Sequence, residues 1–117
     1  MPTYQQWQIW DVKFPYQEND GRWKRRPALL VTTKAEFDQT GILRFAYVTS
    51  IDHPKIDYRI ELFPSHPDIV YEPFKRLRHC WVHCAQWVDL PPADVIEYRG
   101  ILIGDLKQQA MEIHGLA

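Results

Sequence analysis

The sequence predicts an α+β protein that is mainly β: a small, strongly bent antiparallel sheet or partial barrel with one C-terminal helix. Short runs rich in Ile, Val, Tyr, Phe and Trp recur along 117 residues, punctuated by nine prolines and only five glycines, which is the pattern of short strands rather than of a helical bundle. The period becomes helical only at the C-terminus. No internal repeat or linker divides the chain, so residues 1–117 are expected to form one domain around a single core, burying about two-thirds of the unfolded surface.

The elements follow in order. QIWDVKF, residues 8–14, alternates, with Trp10, Val12 and Phe14 on one face and Asp11 and Lys13 on the other, as a half-buried strand does. Pro15 ends it. PYQENDGRWK carries Asn-Asp-Gly and reads as an exposed loop of a length more often functional than merely connecting. Residues 27–33 form the second strand and KAEFDQT a polar connection. Residues 41–50 (GILRFAYVTS) form the third, and IDHPKID turns into a fourth, residues 58–63, with Tyr58, Ile60 and Leu62 on one face. PSHPDIVYEPF, with three prolines, reads as irregular surface chain. Residues 81–90 are the fifth strand, stopped by Pro91 and Pro92. In GDLKQQAMEIHGLA, Leu106, Ala110 and Ile113 share a helix face, Asp105 and Gln108 have capping-box spacing, and Gly115 stands where the helix stops.

Composition excludes several classes. The formal net charge is −1, so this is no lysine-coated nonspecific nucleic-acid binder. Hydrophobic residues make up 45% of the chain, too many for a disordered protein. There is no signal-like opening, and no apolar run reaches the roughly 18 residues of a membrane span. A soluble, cytoplasmic protein with no membrane partner is expected. Half of the 14 cations nevertheless fall in two short stretches, Arg22, Lys24, Arg25 and Arg26, then Lys75, Arg76 and Arg78, with Trp23 inside the first and Phe74 before the second. Cations for phosphates beside rings for unstacked bases are the composition of a single-strand binding surface.

Two stretches need weighing. In KRRPALLVTT, Pro27 fixes its own φ and drives Arg26 toward extended geometry, which puts the turn-to-strand boundary at Arg26 and lets the backbone aim its side chain. A solvated cationic rim explains the same residues. HCWVHC, residues 79–84, offers four potential metal ligands. On a helix His79 and His83 share a face; on a strand they stand about 13 Å apart, beyond one zinc's reach. The β-branched and aromatic flanks and the diproline favour the strand, which also separates Cys80 from Cys84 beyond disulfide range and leaves them as small hydrophobes. No metal or other cofactor is expected.

The order I-W-x-V-x-F, a polar loop with an acid and a glycine, K-x-R-P-A-L-L-V, an apolar strand ending V-T-S, then V-x-C-x-Q, resembles the MazF/PemK family of toxin-antitoxin toxins over nearly the whole chain. The resemblance implies a sheet curled like an SH3 barrel with a C-terminal helix, a homodimer, metal-independent cleavage of single-stranded RNA to a 2′,3′-cyclic phosphate, and silencing by a cognate antitoxin protein lying in the RNA groove. A gyrase-poisoning relative shares the fold, but the Arg-Pro and Thr-Ser pairs favour RNA. Arg26 falls on the family's catalytic arginine and Thr49 on the threonine ending the third strand, with Ser50 beside it. Metal-free cleavage needs a base for the 2′-hydroxyl proton, an acid for the leaving 5′-oxygen, and donors for the phosphoryl oxygens. Arg26 and Thr49 are suited to be the donors, although Thr49 also fits as an ordinary β-branched strand residue. Glu18, Arg22, Trp23, Lys24, Arg25 and Ser50 are candidates to hold substrate.

The sequence also departs from the family. Trp7 and Gln8 stand where its first strand opens with a Gly-acid pair. His83 and Ala85 stand where some members carry an arginine and an aspartate with acid-base roles, so one carboxylate is missing from the catalytic set. Glu18 or Asp20 in the long loop is a candidate replacement, and both also read as solvated loop residues. His83 is expected on the same strand face as Trp81 and Ala85, either in the groove as proton donor or acceptor or half-buried and hydrogen-bonded to a neighbour. An alternative function, that of a catalytically inactive RNA- or protein-binding member of the same fold, follows from these departures.

Overall fold

The computed structural model describes residues 3–15, 21–55 and 58–116. Among these, seven strands form one antiparallel sheet: β1 (Gln8–Pro15), β2 (Trp23–Leu30), β3 (Leu43–Thr49), β4 (Arg59–Leu62), β5 (Ile69–Tyr71), β6 (Cys80–Leu90) and β7 (Val95–Leu102), in spatial order β4-β6-β3-β2-β1-β7-β5. Helices α1 (Lys34–Thr40) and α2 (Gly104–Leu116) complete it. The α+β, mainly β class and the C-terminal helix are as the sequence predicts.

Bulges accompany the curl. Ala46 pairs with Trp87 but Tyr47 with His83, so Cys84, Ala85 and Gln86 bulge out of the β3 ladder, and β7 shifts register twice against β1. Such insertions bend a strand and increase its twist. The second half of V-x-C-x-Q is therefore a bend in β6.

Because the sheet curls, its central strands are covered on both faces, and the single expected core is two clusters. Ile9, Leu29, Ala46, Val48 and Val82 pack with Leu106 and Ala110 of α2, while Trp10, Val12, Ala28, Leu30 and Phe45 pack on the other face with Tyr4 and with Phe37 of α1. β1 is consequently not the half-buried strand expected. Asp11, assigned to solvent by alternation, is 3% exposed.

Other expectations are corrected too. The boundary at Arg26 is not observed: β2 begins at Trp23, and Trp23 to Arg26 pair with Pro15 to Val12 of β1. KAEFDQT is a helix rather than a connection, since the Thr33 hydroxyl accepts from Glu36 N–H, the Glu36 carboxylate accepts from Thr33 N–H, and Gly41 closes the far end in the left-handed region. The proline-rich stretch read as irregular contains β5. β7, which the sequence reading left unassigned, lies inside the sheet between β1 and β5. Its Gly100 is there for space: a Cβ would lie 2.6 Å from the Val70 carbonyl oxygen of β5.

The predicted capping box of α2 does not form, and Gln108 donates to Glu112 instead. Its place is taken by Asp68, whose carboxylate accepts from Asp105 N–H at 2.8 Å and whose carbonyl accepts from Ile103 N–H. The predicted stop, Gly115, lies within the helix. Asp68→Ala should lower stability by about 1 kcal/mol in denaturant unfolding, the value of a lost N-terminal acceptor, and Asp68→Asn should restore most of it.

Candidate functional site

The site begins where two strands part. The β2–β3 ladder runs from Leu30–Phe45 to Ala28–Tyr47 and stops, and the next residue, Pro27, has no N–H to extend it. Beyond that point a pocket of about 420 Å³ opens, lined by Arg26, Pro27, Val48, Thr49 and Ser50, with Lys24, Arg25, Arg78, Arg99 and the buried Leu77 and Cys80. Five of these residues are cations and none is a carboxylate. Arg26, Thr49, Ser50, Lys24 and Arg25, chosen from sequence, are thus brought together.

Two of the cations, Arg25 and Arg99, are held in place by acids behind them. The buried Asp11 carboxylate accepts from Arg25 at 2.9 and 3.1 Å and from Arg99 at 3.0 and 3.2 Å. Arg99 also donates to the carbonyls of Lys75 and Arg76, and Glu97 bridges Arg25 and Lys75. Hydrogen bonds and charge from Asp11, then Glu97, raise the pKa of Arg25, and Lys75 followed by Arg25 holds Glu97 below its ordinary value. Arg26 differs. Its guanidinium lies over the Tyr47 ring at 5.3 Å and has no carboxylate partner among the described residues. Thr49 is buried, and its Oγ1 accepts from Ile51 N–H at 3.2 Å, leaving its own O–H to donate into the pocket.

Two rows cross the same sheet face: Thr49–Trp81–Glu61 and Tyr47–His83–Arg59, on β3, β6 and β4. His83 therefore faces the side that alternation predicts. It is not open to solvent, however: it is 2% exposed, with Tyr47 and His53 each 5.5 Å away ring to ring, and neither ring nitrogen has a hydrogen-bond partner among the described residues. Burial first, then the neighbouring His53, pushes its pKa down, with Arg59 adding slightly and Gln86 acting the other way. It does not line the pocket.

Arg22 and Trp23 lie apart from Arg26, in a depression with Lys13 and Asp94, where the Lys13 ammonium sits 5.1 Å from the Trp23 ring centre. Glu18 and Asp20 lie outside the described residues. HCWVHC runs into β6 as a strand. Cys80 and Cys84 are free and buried, and burial pushes their thiols up to about 11 and about 12, so neither is a thiolate nucleophile at neutral pH. Sequence reading missed Asp11 and Arg99, and placed Arg78 in a basic stretch without joining it to Arg26. β1 alternation hid Asp11, and only the pairing of β1 with β7 reveals Arg99.

Residues 5–113 match the sequence profile of the PemK-like, MazF-like toxin of type II toxin-antitoxin system. The chain belongs to this family of toxins. Among curated proteins, none matches the toxin. Among solved structures it is similar to a mycobacterial endoribonuclease in complex with its cognate antitoxin (TM-score 0.72, 16% identity, covering 98% of the toxin and 94% of that chain). It is also similar to the Mycobacterium tuberculosis toxin MazF-mt6 (0.66, 15%, 93% and 93%) and to MazF from Deinococcus radiodurans (0.65, 18%, 99% and 96%). At such identities the likeness establishes the fold. No helix among the toxin's described residues is long and apolar enough to cross a membrane.

Two measurements check this geometry. Asp11→Asn leaves two guanidiniums short of a counter-charge and should cost about 2 kcal/mol in denaturant unfolding, less than a fully buried pair because Arg25 is half exposed. His83 binds its proton more weakly folded than unfolded, so the unfolded chain takes up more protons as pH falls below about 6.5. Its contribution to stability is therefore lost on going down in pH, and between pH 7.5 and 5.5 the wild type should lose more stability than His83→Gln.

Proposed function

We propose that the toxin is an endoribonuclease that cleaves single-stranded RNA by transesterification at the Arg26–Thr49 pocket, without a metal. The observation that carries this reading is a pocket whose described lining holds five cations and no carboxylate, with two guanidiniums, Arg26 and Arg78, that have no carboxylate partner among the described residues. Such a lining neutralises phosphate by itself, and its described residues offer no acidic ligand to a divalent ion. The 2′-oxygen bonds to phosphorus, the P–O5′ bond breaks, the 2′-hydroxyl proton goes to a base and the 5′-oxygen receives one from an acid, leaving a 2′,3′-cyclic phosphate. Arg26 and the Thr49 hydroxyl donate to the phosphoryl oxygens as charge accumulates there. Ser50, Lys24 and Arg25 hold the flanking backbone. His83, beside Tyr47, is a candidate proton acceptor one ring removed from Arg26, and Glu18 and Asp20 are the other candidates. A cognate antitoxin protein is the natural occupant of the same cationic cleft, and the exposed Trp23, Phe74 and Trp87 are apolar surface suited to pairing with a second copy.

One observation favours the second reading, an inactive RNA- or protein-binding toxin: among the described residues, no imidazole or carboxylate lines the pocket. Incubation with mixed RNA in EDTA and end mapping decides between them, with cyclic-phosphate termini expected. Arg26→Ala should retain its fold by circular dichroism and lose cleavage and growth inhibition by roughly 10²-fold or more; parental cleavage in a folded variant removes Arg26 from the mechanism. Light scattering at micromolar concentration should give a dimer mass, and a monomer would count against pairing.

A further inference from the structure

We propose that a depression of about 210 Å³ lined by Asp52, Arg59, Glu61 and Trp81 reads a guanine base of the RNA next to the scissile phosphate. This rests on the RNA-cleaving reading above and names what that site selects. Trp81 is the register partner of Thr49 on one side and of Glu61 on the other, and partners across a ladder project side by side from the same face. The depression is thus one strand spacing, about 4.8 Å, from a phosphate held at Thr49, within the reach of one nucleotide.

The Trp81 ring is braced for stacking. It lies 4.5 Å from the His79 ring, which is stacked in turn on Phe63 at 4.7 Å and 21°. That column fixes the indole from behind, and Trp81 stays partly exposed, so an incoming base meets a ring that need not be ordered on binding. The polar lining selects among bases. Asp52 pairs with Arg59 and Glu61 with His79 at 2.8 Å. These are solvent-facing pairs of small individual worth, so their groups re-pair with a ligand at little cost. A guanidinium matches two acceptors side by side, and a carboxylate matches two donors. Guanine presents both, O6 with N7 and N1–H with N2–H. Uracil has no amino group, and adenine and cytosine lack the paired donors.

The test uses uridine tetranucleotides lacking 2′-hydroxyls, which bind without being cut, with each position changed in turn to guanine, adenine or cytosine. One position should favour guanine by about tenfold or more. Glu61→Gln and Arg59→Lys, each checked for folding, should abolish that preference, while Arg26→Ala weakens all four bases equally and leaves the preference intact. Equal affinity for the four bases, or a preference that survives both substitutions, overturns the inference, as does failure to bind any of them. End mapping on unmodified RNA separates the two claims. Guanine preference in binding without cleavage keeps the base site and removes the nuclease; cleavage with no base preference does the reverse.

Discussion

The buried Asp11 carboxylate is the contact on which the rest depends. An ionised carboxylate in a protein interior is tolerated only with charged or hydrogen-bonding partners, and Asp11 has two arginines from strands on either side of its own. That requirement ties β2 and β7 to β1 at one level and forces Arg25 and Arg99 toward the place where β2 leaves β3. A cationic pocket would ordinarily spread its charges apart. Here the repulsion is offset in part from behind by Asp11 and Glu97, which pair with Arg25, Arg99 and Lys75, so the described lining of the pocket presents only positive charge. The net charge of −1 for the whole chain therefore says little about the local field.

Pro27 makes the complementary contribution. The ladder between β2 and β3 needs a donor that proline does not have, and the strands diverge at that residue. Arg26 precedes it and Thr49 ends the opposite strand, so the two groups face one another across the opening. The acids position the cations and the proline positions the gap.

How much of this could be read beforehand follows from what each residue's neighbours in sequence reveal. Arg26 and Thr49 stood out because a proline and a strand end mark them locally. β1, β3, β4, β6 and α2 were legible in their periods. β7 was not, because its apolar and polar residues do not alternate in VIEYRGIL, and its Gly100 looks like a breaker until β5 is placed against it. The α1 helix was missed because seven residues with one half-buried phenylalanine carry too little periodicity, although Thr33 and Glu36 had the spacing of a cap. His83 was placed on the correct face, yet its burial depends on His53, a residue thirty positions away in a loop over the sheet. Alternation gives direction; depth comes only from tertiary packing.

The gap at Pro27 has a further consequence. Because the opening follows from a covalent absence rather than from a movable contact, no rotamer change or loop shift restores the missing donor. The cleft stands ready before any ligand arrives, so binding need not spend free energy on creating it. An occupant of the opening, substrate or protein, therefore competes for a space that already exists rather than for one it must create.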